Sequence, residues 1–235
     1  MLEETLKIGF SAMGLSAGEA VLSRFRAYYE ALAAANAVMN LTAIAGEDET
    51  ARLHFLDSAA ALLPFPLSGK TVIDVGAGAG FPGLPMKLLC PEMALTLLDS
   101  REKRVGFLEN GVCGPLGLEG VACVCARAEE WVQGRREIFD YAVARAVARL
   151  NVLSELCLPY LKPGGAFLAL KGPAAFDELA EAEGAVAALG GAVERVFEYD
   201  LPGGEARHNI VIIRKVSPTP QKYPRAFAQI RKAPL

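Results

Sequence analysis

The sequence predicts an α/β protein with a doubly wound, mostly parallel sheet of seven strands that ends in an antiparallel hairpin. Three observations lead to this fold class. From Lys70 onward, short β-type runs alternate with helical patterns. The glycine-rich stretch 75–83 directly follows the apolar run 71–75, as in the strand–turn–helix unit of Rossmann-like folds. The last two β-type runs are separated by Leu-Pro-Gly-Gly at 201–204, which favours antiparallel pairing.

The N-terminal part has helical patterns and no β-type run, so we expect a helical cap over residues 1–66. Residues 16–19 read Ser-Ala-Gly-Glu, the form of a capping box, and a long helix is predicted from there to about Asn36. A second helix is predicted from about Glu47 to Leu63, before Pro64 interrupts it. Its expected apolar face consists of Leu53, Leu56, Ala60 and Leu63.

Residues 67–216 carry the predicted Rossmann-like core. We expect strands at 71–75, 94–98, 121–125, 139–144, 166–171, 192–199 and 208–215. We expect helices at 82–90, 101–110, 150–160 and 174–189. Pro82 is predicted in the first turn of the first of these helices. Residues 217–235 form a basic C-terminal tail, and the three segments are expected to make one compact unit.

The composition is that of an ordinary globular protein, with 235 residues of which 52% are hydrophobic. The sequence has no recognisable secretion signal and no apolar run long enough to cross a bilayer, so we expect a soluble, cytoplasmic protein. Its five cysteines form an odd set without C-x-x-C pairs, which indicates neither a disulfide framework nor a zinc site.

Basic charge is concentrated at the C-terminal end. The whole chain has a net charge of −3, whereas residues 214–235 contain no acidic residue. The basic residues of this segment are Arg214, Lys215, Lys222, Arg225, Arg231 and Lys232. Such an asymmetry is compatible with a polyanionic partner and equally with a solvated tail.

Three glycines after the first strand, Gly76, Gly78 and Gly80, allow a sharp turn and a close approach of the backbone to a ligand. The start of the following helix offers free N–H groups to a polar ligand. A tight turn without a ligand is the structural alternative.

Two cofactors fit this turn. Residues 78–83 match the dinucleotide fingerprint G-x-G-x-x-G, and Asp99 follows the next predicted strand, where a ribose-binding acid belongs. Residues 74–80 also read D-x-G-x-G-x-G, the form usual in S-adenosylmethionine enzymes. The closing hairpin favours the second interpretation, because a dehydrogenase needs further sequence for its substrate. A nicotinamide-dependent oxidoreductase stays open as the alternative.

Two acids near the expected carboxyl edge of the sheet have a ligand-binding and a local interpretation. Asp99 either accepts ribose hydroxyls or caps the helix that begins near Arg101. Glu129, after the third strand, either meets an adenine with its neighbour Ala128 or is an acid in the first turn of a helix.

Several separated segments together resemble the RsmG (GidB) family, methyltransferases that modify N7 of a guanine in bacterial 16S rRNA. The match runs nearly the full chain, and the one local departure is Ala126, where a glycine is expected. The segments that carry the resemblance are 40–42, 54–58, 74–83, 97–100 with 103–104, 127–130, 144–146, 170–172 and 207–208.

The resemblance implies a class I fold that uses S-adenosyl-L-methionine and releases S-adenosyl-L-homocysteine. The residues that it implies at the cofactor are Gly76, Gly78, Phe81, Asp99, Ser100, Ala128, Glu129 and Arg145. Arg145 is also the best candidate for a catalytic group, although an ion pair with Asp140 or Glu129 is its ordinary alternative. His54 and His208 are expected to be structural hydrogen-bonding residues.

The chemistry of the remaining residues is compatible with N7 of guanine. Residues 140–146 lack the Asn/Asp-Pro-Pro-aromatic motif of amine methyltransferases, and no cysteine stands where a pyrimidine methyltransferase needs its nucleophile. N7 carries a free lone pair and requires no general base.

The expected partner is 16S rRNA or the small ribosomal subunit, bound by a monomer without a membrane or a metal. Candidate RNA contacts are Lys171, Arg207, His208, Lys222 and Arg225, with Arg104 as a weaker one. A non-catalytic RNA-binding protein on the same fold is the third hypothesis.

Overall fold

The computed structural model describes residues 1–145, 147–204 and 207–235, and its sheet confirms the predicted fold class. Seven strands lie in the order β3-β2-β1-β4-β5-β7-β6. β1 to β5 pair in parallel, whereas β7 runs antiparallel to both β5 and β6. The strands are β1 (Thr71–Val75), β2 (Ala94–Asp99), β3 (Val121–Cys125), β4 (Phe139–Arg145), β5 (Leu161–Lys171), β6 (Gly191–Asp200) and β7 (Arg207–Lys215).

Helices cover both faces of the sheet, and every helix predicted after residue 70 is present. Pro82 lies directly before α4 rather than inside its first turn. The helices are α1 (Leu2–Ala12), α2 (Glu19–Met39), α3 (47–62), α4 (Gly83–Leu89), α5 (Glu102–Gly106, continued by a π-helical stretch Phe107–Cys113), α6 (Ala128–Trp131), α7 (Leu150–Cys157), α8 (Ala175–Ala188) and α9 (Phe227–Lys232). No helix in the described ranges is long and apolar enough to span a membrane.

The helical N-terminal region packs through aromatic rings. Phe25 contacts Phe10 and Phe55 at ring-centroid distances of 5.4 and 5.0 Å, and Tyr28 contacts Phe55 at 5.3 Å. All four rings are buried and join the core under the sheet. Burial of each aromatic side chain contributes roughly 1.5–3 kcal/mol or more, so α1, α2 and α3 are part of the main core.

Two details of the predicted N-terminal helices are wrong. The capping box is not used, because α2 begins after Gly18 without a side-chain cap. The predicted apolar face of α3 also fails at Leu53, which is 40% exposed, although Leu56 is fully buried. The reason is a π-helical stretch, Ala51–Leu56, which inserts extra backbone and rotates side chains away from α-helical spacing.

Three of the six basic residues of the segment 214–235 are buried or paired with an acid of the core. Lys215 is fully buried and donates to the carbonyl oxygens of Leu158 and Leu189 at 3.0 and 3.2 Å. Arg214 pairs with Glu194 and Arg225 with Glu155. The C-terminal segment is therefore packed on the core through charged groups, and its basic character is not evidence for a polyanion.

We expect Arg225→Ala to lower the free energy of unfolding by about 3 kcal/mol, because Glu155 is fully buried and would lose its only guanidinium partner in the described structure. The matched control is Arg231→Ala at an exposed position, which should change stability by less than about 0.5 kcal/mol. Urea unfolding of both variants measures this. Equal stability of the two would contradict a structural role for the Arg225 pair.

Candidate functional site

A cavity of about 510 Å³ opens at the carboxyl edge of the parallel strands, at the turn after β1. This volume lies within the range of roughly 300–1,000 Å³ typical of small-molecule sites. All eight residues that the sequence placed at a cofactor line it, namely Gly76, Gly78, Phe81, Asp99, Ser100, Ala128, Glu129 and Arg145. The fold thus gathers side chains from four separate loops at one place, although their role as ligand contacts stays a prediction.

The glycine turn brings its backbone to the floor of this cavity. Gly76 and Gly78 have φ of 78° and 60°, a region that favours glycine. The N–H groups of Gly76 and Ala77 both donate to the carbonyl oxygen of Leu98, at 2.8 and 3.1 Å, so the turn is fixed to β2. The Tyr28 hydroxyl donates to the carbonyl oxygen of Ala79 at 2.6 Å and holds the turn from the helical side.

Asp74 supports this turn from below and does not line the cavity. It is fully buried, and its Oδ2 accepts the N–H of Gly83 at 2.8 Å. Burial raises the pKa of Asp74 to about 7, and the hydrogen bond from Gly83 opposes that rise only in part. The acid that precedes the glycines therefore positions the start of α4.

The Asp99 carboxylate does not cap α5, because Arg101 precedes that helix and there is no side-chain cap; its contact with ribose hydroxyls stays a prediction. Its Oδ1 accepts the N–H of Arg101 at 2.9 Å, which is a local turn contact, and its Oδ2 accepts the N–H of Gly78 at 3.0 Å. Oδ1 keeps a second lone pair for a hydroxyl donor of a ligand in the cavity, whereas Oδ2 also accepts from Arg104. Arg104 lies 3.4 Å from Oδ2 and also lines the cavity, so it is not an outer surface residue.

Glu129 lies in the first turn of α6, where a helix N-terminus favours an acid. Its Oε1 accepts Nε–H of Arg127 at 2.6 Å. Glu129 is therefore an acid in the first turn of a helix and also lines the cavity, because α6 begins at the edge of the cavity.

Arg145 at the end of β4 is the centre of a hydrogen-bonded cluster. Its Nη1 donates to Asp57 Oδ2 at 2.7 Å and to the Leu53 carbonyl oxygen at 2.9 Å, and its Nη2 donates to His54 Nδ1 at 2.8 Å. The guanidinium lies 4.9 Å from the centroid of the Phe81 ring. Its ion-pair partner is neither of the two acids expected from the sequence, since Asp140 bonds Thr71 and Lys162, and Glu129 bonds Arg127.

The contacts of His54 determine its protonation. A guanidinium only donates, so Nδ1 of His54 must accept from Arg145, and Nε2 carries the proton that Thr42 Oγ1 accepts at 2.7 Å. Burial, and then the charge of Arg145, lower the pKa of His54 to about 3. The neutral ring stacks on Phe81 with a centroid distance of 4.3 Å.

Asp57 joins the same cluster from α3 to the antiparallel strands. Its Oδ1 accepts from the Tyr199 hydroxyl at 2.6 Å and lies 3.0 Å from Nδ1 of His208. Burial alone would raise the pKa of Asp57, but hydrogen bonds from His208, Tyr199 and Arg145 outweigh it, so the pKa is lowered.

Sequence reasoning missed the roles of Thr42, Asp57 and Tyr199. One signal was available for Asp57, since His54 and Asp57 are three residues apart on a predicted helix and so share a face. Nothing in the sequence indicated that Tyr199, far along the chain, would meet them. Ala146, which belongs to the resembling segment 144–146, lies outside the described residues.

Of the five residues predicted to contact RNA, Lys171 and His208 line one further cavity, and most of the five are paired with acids of the protein. Lys171 is almost buried and pairs with Glu178 at 2.7 Å, and Arg225 is held by Glu155. Arg207 is exposed but pairs with Glu198. His208 bonds Asp57, as noted above. Lys222 is exposed and lies 5.1 Å from the ring of the buried Tyr223.

No group of three or more His, Cys, Asp or Glu side chains in the described ranges is placed to hold a metal ion. The nearest pair of thiols, Cys113 and Cys123, has an Sγ–Sγ distance of 4.0 Å.

The strand order with its antiparallel β7, and a cavity at the carboxyl edge beside a glycine turn, define the class I S-adenosylmethionine-dependent methyltransferase fold. Solved structures with this fold include TrmN from Thermus thermophilus, with a TM-score of 0.53 and 22% identity over 68% of this chain and 48% of that one. A SAM-dependent methyltransferase from Aquifex aeolicus gives a TM-score of 0.51 and 22% identity over 67% of this chain and 89% of that one.

The particular family follows from the sequence comparisons. The GidB family model, "rRNA small subunit methyltransferase G", matches residues 21–208. A protein of Exiguobacterium sp., named ribosomal RNA small subunit methyltransferase G, is 47% identical over 95% of this chain and 95% of its own length. One of the same name from Pelotomaculum thermopropionicum is 44% identical over 100% of this chain and 99% of its own. The chain belongs to the GidB family.

The low pKa of His54 predicts a pH dependence of stability. The unfolded chain takes up a proton on this histidine below about pH 6.5, whereas the folded protein does so only near pH 3. The contribution of neutral His54 to stability is therefore complete above pH 6.5 and is lost as the pH falls.

We expect the difference in free energy of unfolding between the wild-type protein and His54→Gln to shrink by about 2–3 kcal/mol between pH 7 and pH 4.5. Urea unfolding at several pH values measures it. The raised pKa of Asp74 gives stability a pH dependence of the opposite sign, but this dependence is the same in both proteins and cancels in the difference. A difference that stays constant over this range would show that His54 takes up its proton at the same pH in the folded protein as in the unfolded chain.

Proposed function

We propose that this protein transfers a methyl group from S-adenosyl-L-methionine to N7 of a guanine in 16S rRNA of the small ribosomal subunit. The observation that carries the proposal is the cavity at the carboxyl edge, which all eight residues implied by the family resemblance line. The names of relatives that match almost the full length of the chain support rRNA as the substrate.

The residues around the cavity fit the cofactor. Gly76 and Gly78 expose backbone in a conformation without a Cβ, so a flat or charged group can lie directly on the turn. Asp99 and Ser100 suit the ribose hydroxyls, and the start of α6 at Ala128 and Glu129 suits the adenine. Phe81 and Arg145, on the other side, suit the methionine end.

When bound, S-adenosylmethionine would supply a methyl group on a positively charged sulfur. The N7 lone pair of guanine would bond to the methyl carbon as the carbon–sulfur bond breaks in line, and no proton has to leave the base. The protein therefore has to hold two reactants in line, a contribution that reaches roughly 7–11 kcal/mol in favourable cases. The one ring lone pair of neutral His54 accepts from Arg145, and the pKa of His54 is lowered to about 3. Asp57 accepts from Arg145 and Tyr199, so neither residue is available to act as a general base. This arrangement suits an acceptor atom that carries no proton.

Arg145 is the residue that we infer to keep the methionine end and the acceptor aligned. Its guanidinium is fixed by His54, Asp57 and the Leu53 carbonyl oxygen, and it lies against Phe81. A guanidinium held in this way is pre-organised and loses little conformational freedom when a ligand binds.

The nicotinamide alternative and the non-catalytic alternative receive no support from the comparisons, since the named relatives are methyltransferases. We propose that the protein works without a metal and as a monomer.

Calorimetry distinguishes the cofactors. We expect the protein to bind S-adenosyl-L-homocysteine with one site per chain and to give no heat with NAD, because Asp99 and Phe81 in the cavity suit the ribose and the methionine end and the full-length relatives are methyltransferases. Binding of NAD without binding of S-adenosylhomocysteine would refute the proposal.

A methylation assay tests the acceptor. We expect 16S rRNA or small subunits from a strain that lacks this protein to accept one methyl group, mapped by mass spectrometry to N7 of one guanine. A methyl group on another base, or on a protein, would refute the substrate.

We expect Arg145→Ala to lower turnover by about 100-fold, because loss of the guanidinium releases His54 and Asp57 and misaligns the reactants. Arg24→Ala, at an exposed position of α2, is the matched control and should leave turnover unchanged. Full activity of Arg145→Ala in the same assay would show that this residue does not serve the reaction.

A further inference from the structure

A second cavity, of about 580 Å³, adjoins the cofactor cavity. The two cavities share three lining residues, His54, Arg145 and Val147, so they meet along these side chains, which we call the shared wall. A methyl transfer needs a donor and an acceptor on opposite sides of one short gap. The second cavity lies where an acceptor would have to lie if the first one holds the donor.

One side of the second cavity is aliphatic and open to solvent. Its lining includes Ile44, Leu53, Val147 and Leu170. Leu53 is 40% exposed and Val147 is 42% exposed, so this side of the cavity presents apolar surface to solvent. A base splayed out of an RNA loop presents flat faces that would cover such a surface.

The polar side contains one carboxylate that is only partly used. Oε2 of Glu178 accepts from the N–H of Leu150 at 2.8 Å and from Nζ of Lys171 at 2.7 Å. Lys171 also donates to the Ala148 carbonyl oxygen, so the pair is fixed at both ends. Within the described ranges, no donor reaches Oε1 of Glu178. A charged acceptor is thus held in place with one oxygen available.

The other carboxylate of this cavity, Asp57, has both oxygens engaged by Arg145, Tyr199 and His208. Glu178 is therefore the acceptor that a ligand would meet. Among the four RNA bases, only guanine presents two adjacent N–H donors, N1–H and the N2 amino group, which Oε1 of Glu178 can accept together through its two lone pairs. N7 lies on a different edge of the same base.

We propose that the second cavity receives the target guanine and that Glu178 accepts hydrogen bonds from its N1–H and N2 amino groups, with N7 directed to the wall shared with the cofactor cavity. This inference rests on the proposed function and adds the residue that selects guanine. Lys171 then serves RNA recognition indirectly, because it holds the Glu178 carboxylate rather than a phosphate.

Glu178→Gln tests the proposal. The Leu150 and Lys171 donors will keep the amide oxygen, so the amide NH₂ should take the position of Oε1 and oppose the guanine donors. We expect kcat/KM for rRNA to fall about 10- to 100-fold. Binding of S-adenosylhomocysteine should stay within twofold, because Glu178 does not line the cofactor cavity. Glu183→Gln, exposed on the same helix, is the matched control and should be unaffected.

A substrate with inosine at the methylated position, made by ligation of RNA fragments, supplies a readout that a structural role would not change. The wild-type enzyme should prefer guanine to inosine about tenfold or more, since inosine lacks the N2 amino group. Glu178→Gln should reduce this preference to within about twofold. An unchanged preference overturns the proposal, whether or not total activity and S-adenosylhomocysteine binding fall.

Leu53→Trp tests the cavity itself at an exposed position where folding should not be affected. The larger ring should fill the second cavity and lower rRNA methylation at least tenfold, with S-adenosylhomocysteine binding unchanged. Full methylation by this variant overturns the proposal.

The two proposals can fail separately. If the wild-type enzyme methylates no rRNA, the proposed function fails. If it methylates rRNA and both variants match it, only the assignment of the guanine cavity fails.

Discussion

The ion pair between Arg145 and Asp57 connects the parts of the protein that would otherwise be separate. Arg145 ends β4, Asp57 belongs to α3, and the same carboxylate accepts from Tyr199 on β6 and lies beside His208 on β7. Both side chains are nearly buried, so loss of either would leave a charge without compensation, at a cost of about 3–5 kcal/mol. The helical N-terminal region is consequently locked to the carboxyl edge of the sheet.

This cluster also fixes the charge states of His54 and Asp57. Arg145 lowers the pKa of His54, which stays neutral, and hydrogen bonds lower the pKa of Asp57, which stays charged. In the shared wall, His54 and Arg145 are thus fixed by hydrogen bonds. Rigid alignment is what methyl transfer to an unprotonated nitrogen requires, whereas proton transfer is not needed.

The fold was predictable because β-type and helical sequence patterns alternate along the chain, and each pattern forms the expected element in the folded protein. Alternating β-type and helical runs gave all seven strands, and the glycine turn predicted where the cavity opens. The cations were less predictable. Lys171, Lys215 and Arg225 look like surface charges in the sequence, but each is paired or buried. A charge pattern carries no information about which acid will face a given cation, and the acid that faces Arg225 lies 70 residues away along the chain.

The sequence by itself determined the fold class, the family and the loops that surround the first cavity, because these depend on periodicity, on glycines with positive φ and on short motifs. Only the tertiary structure decided the partners of Arg145, the tautomer of His54 and the existence of a second cavity with Glu178 in its lining. These depend on distances between residues that are remote along the chain. They are set when the core packs, and no local pattern encodes them.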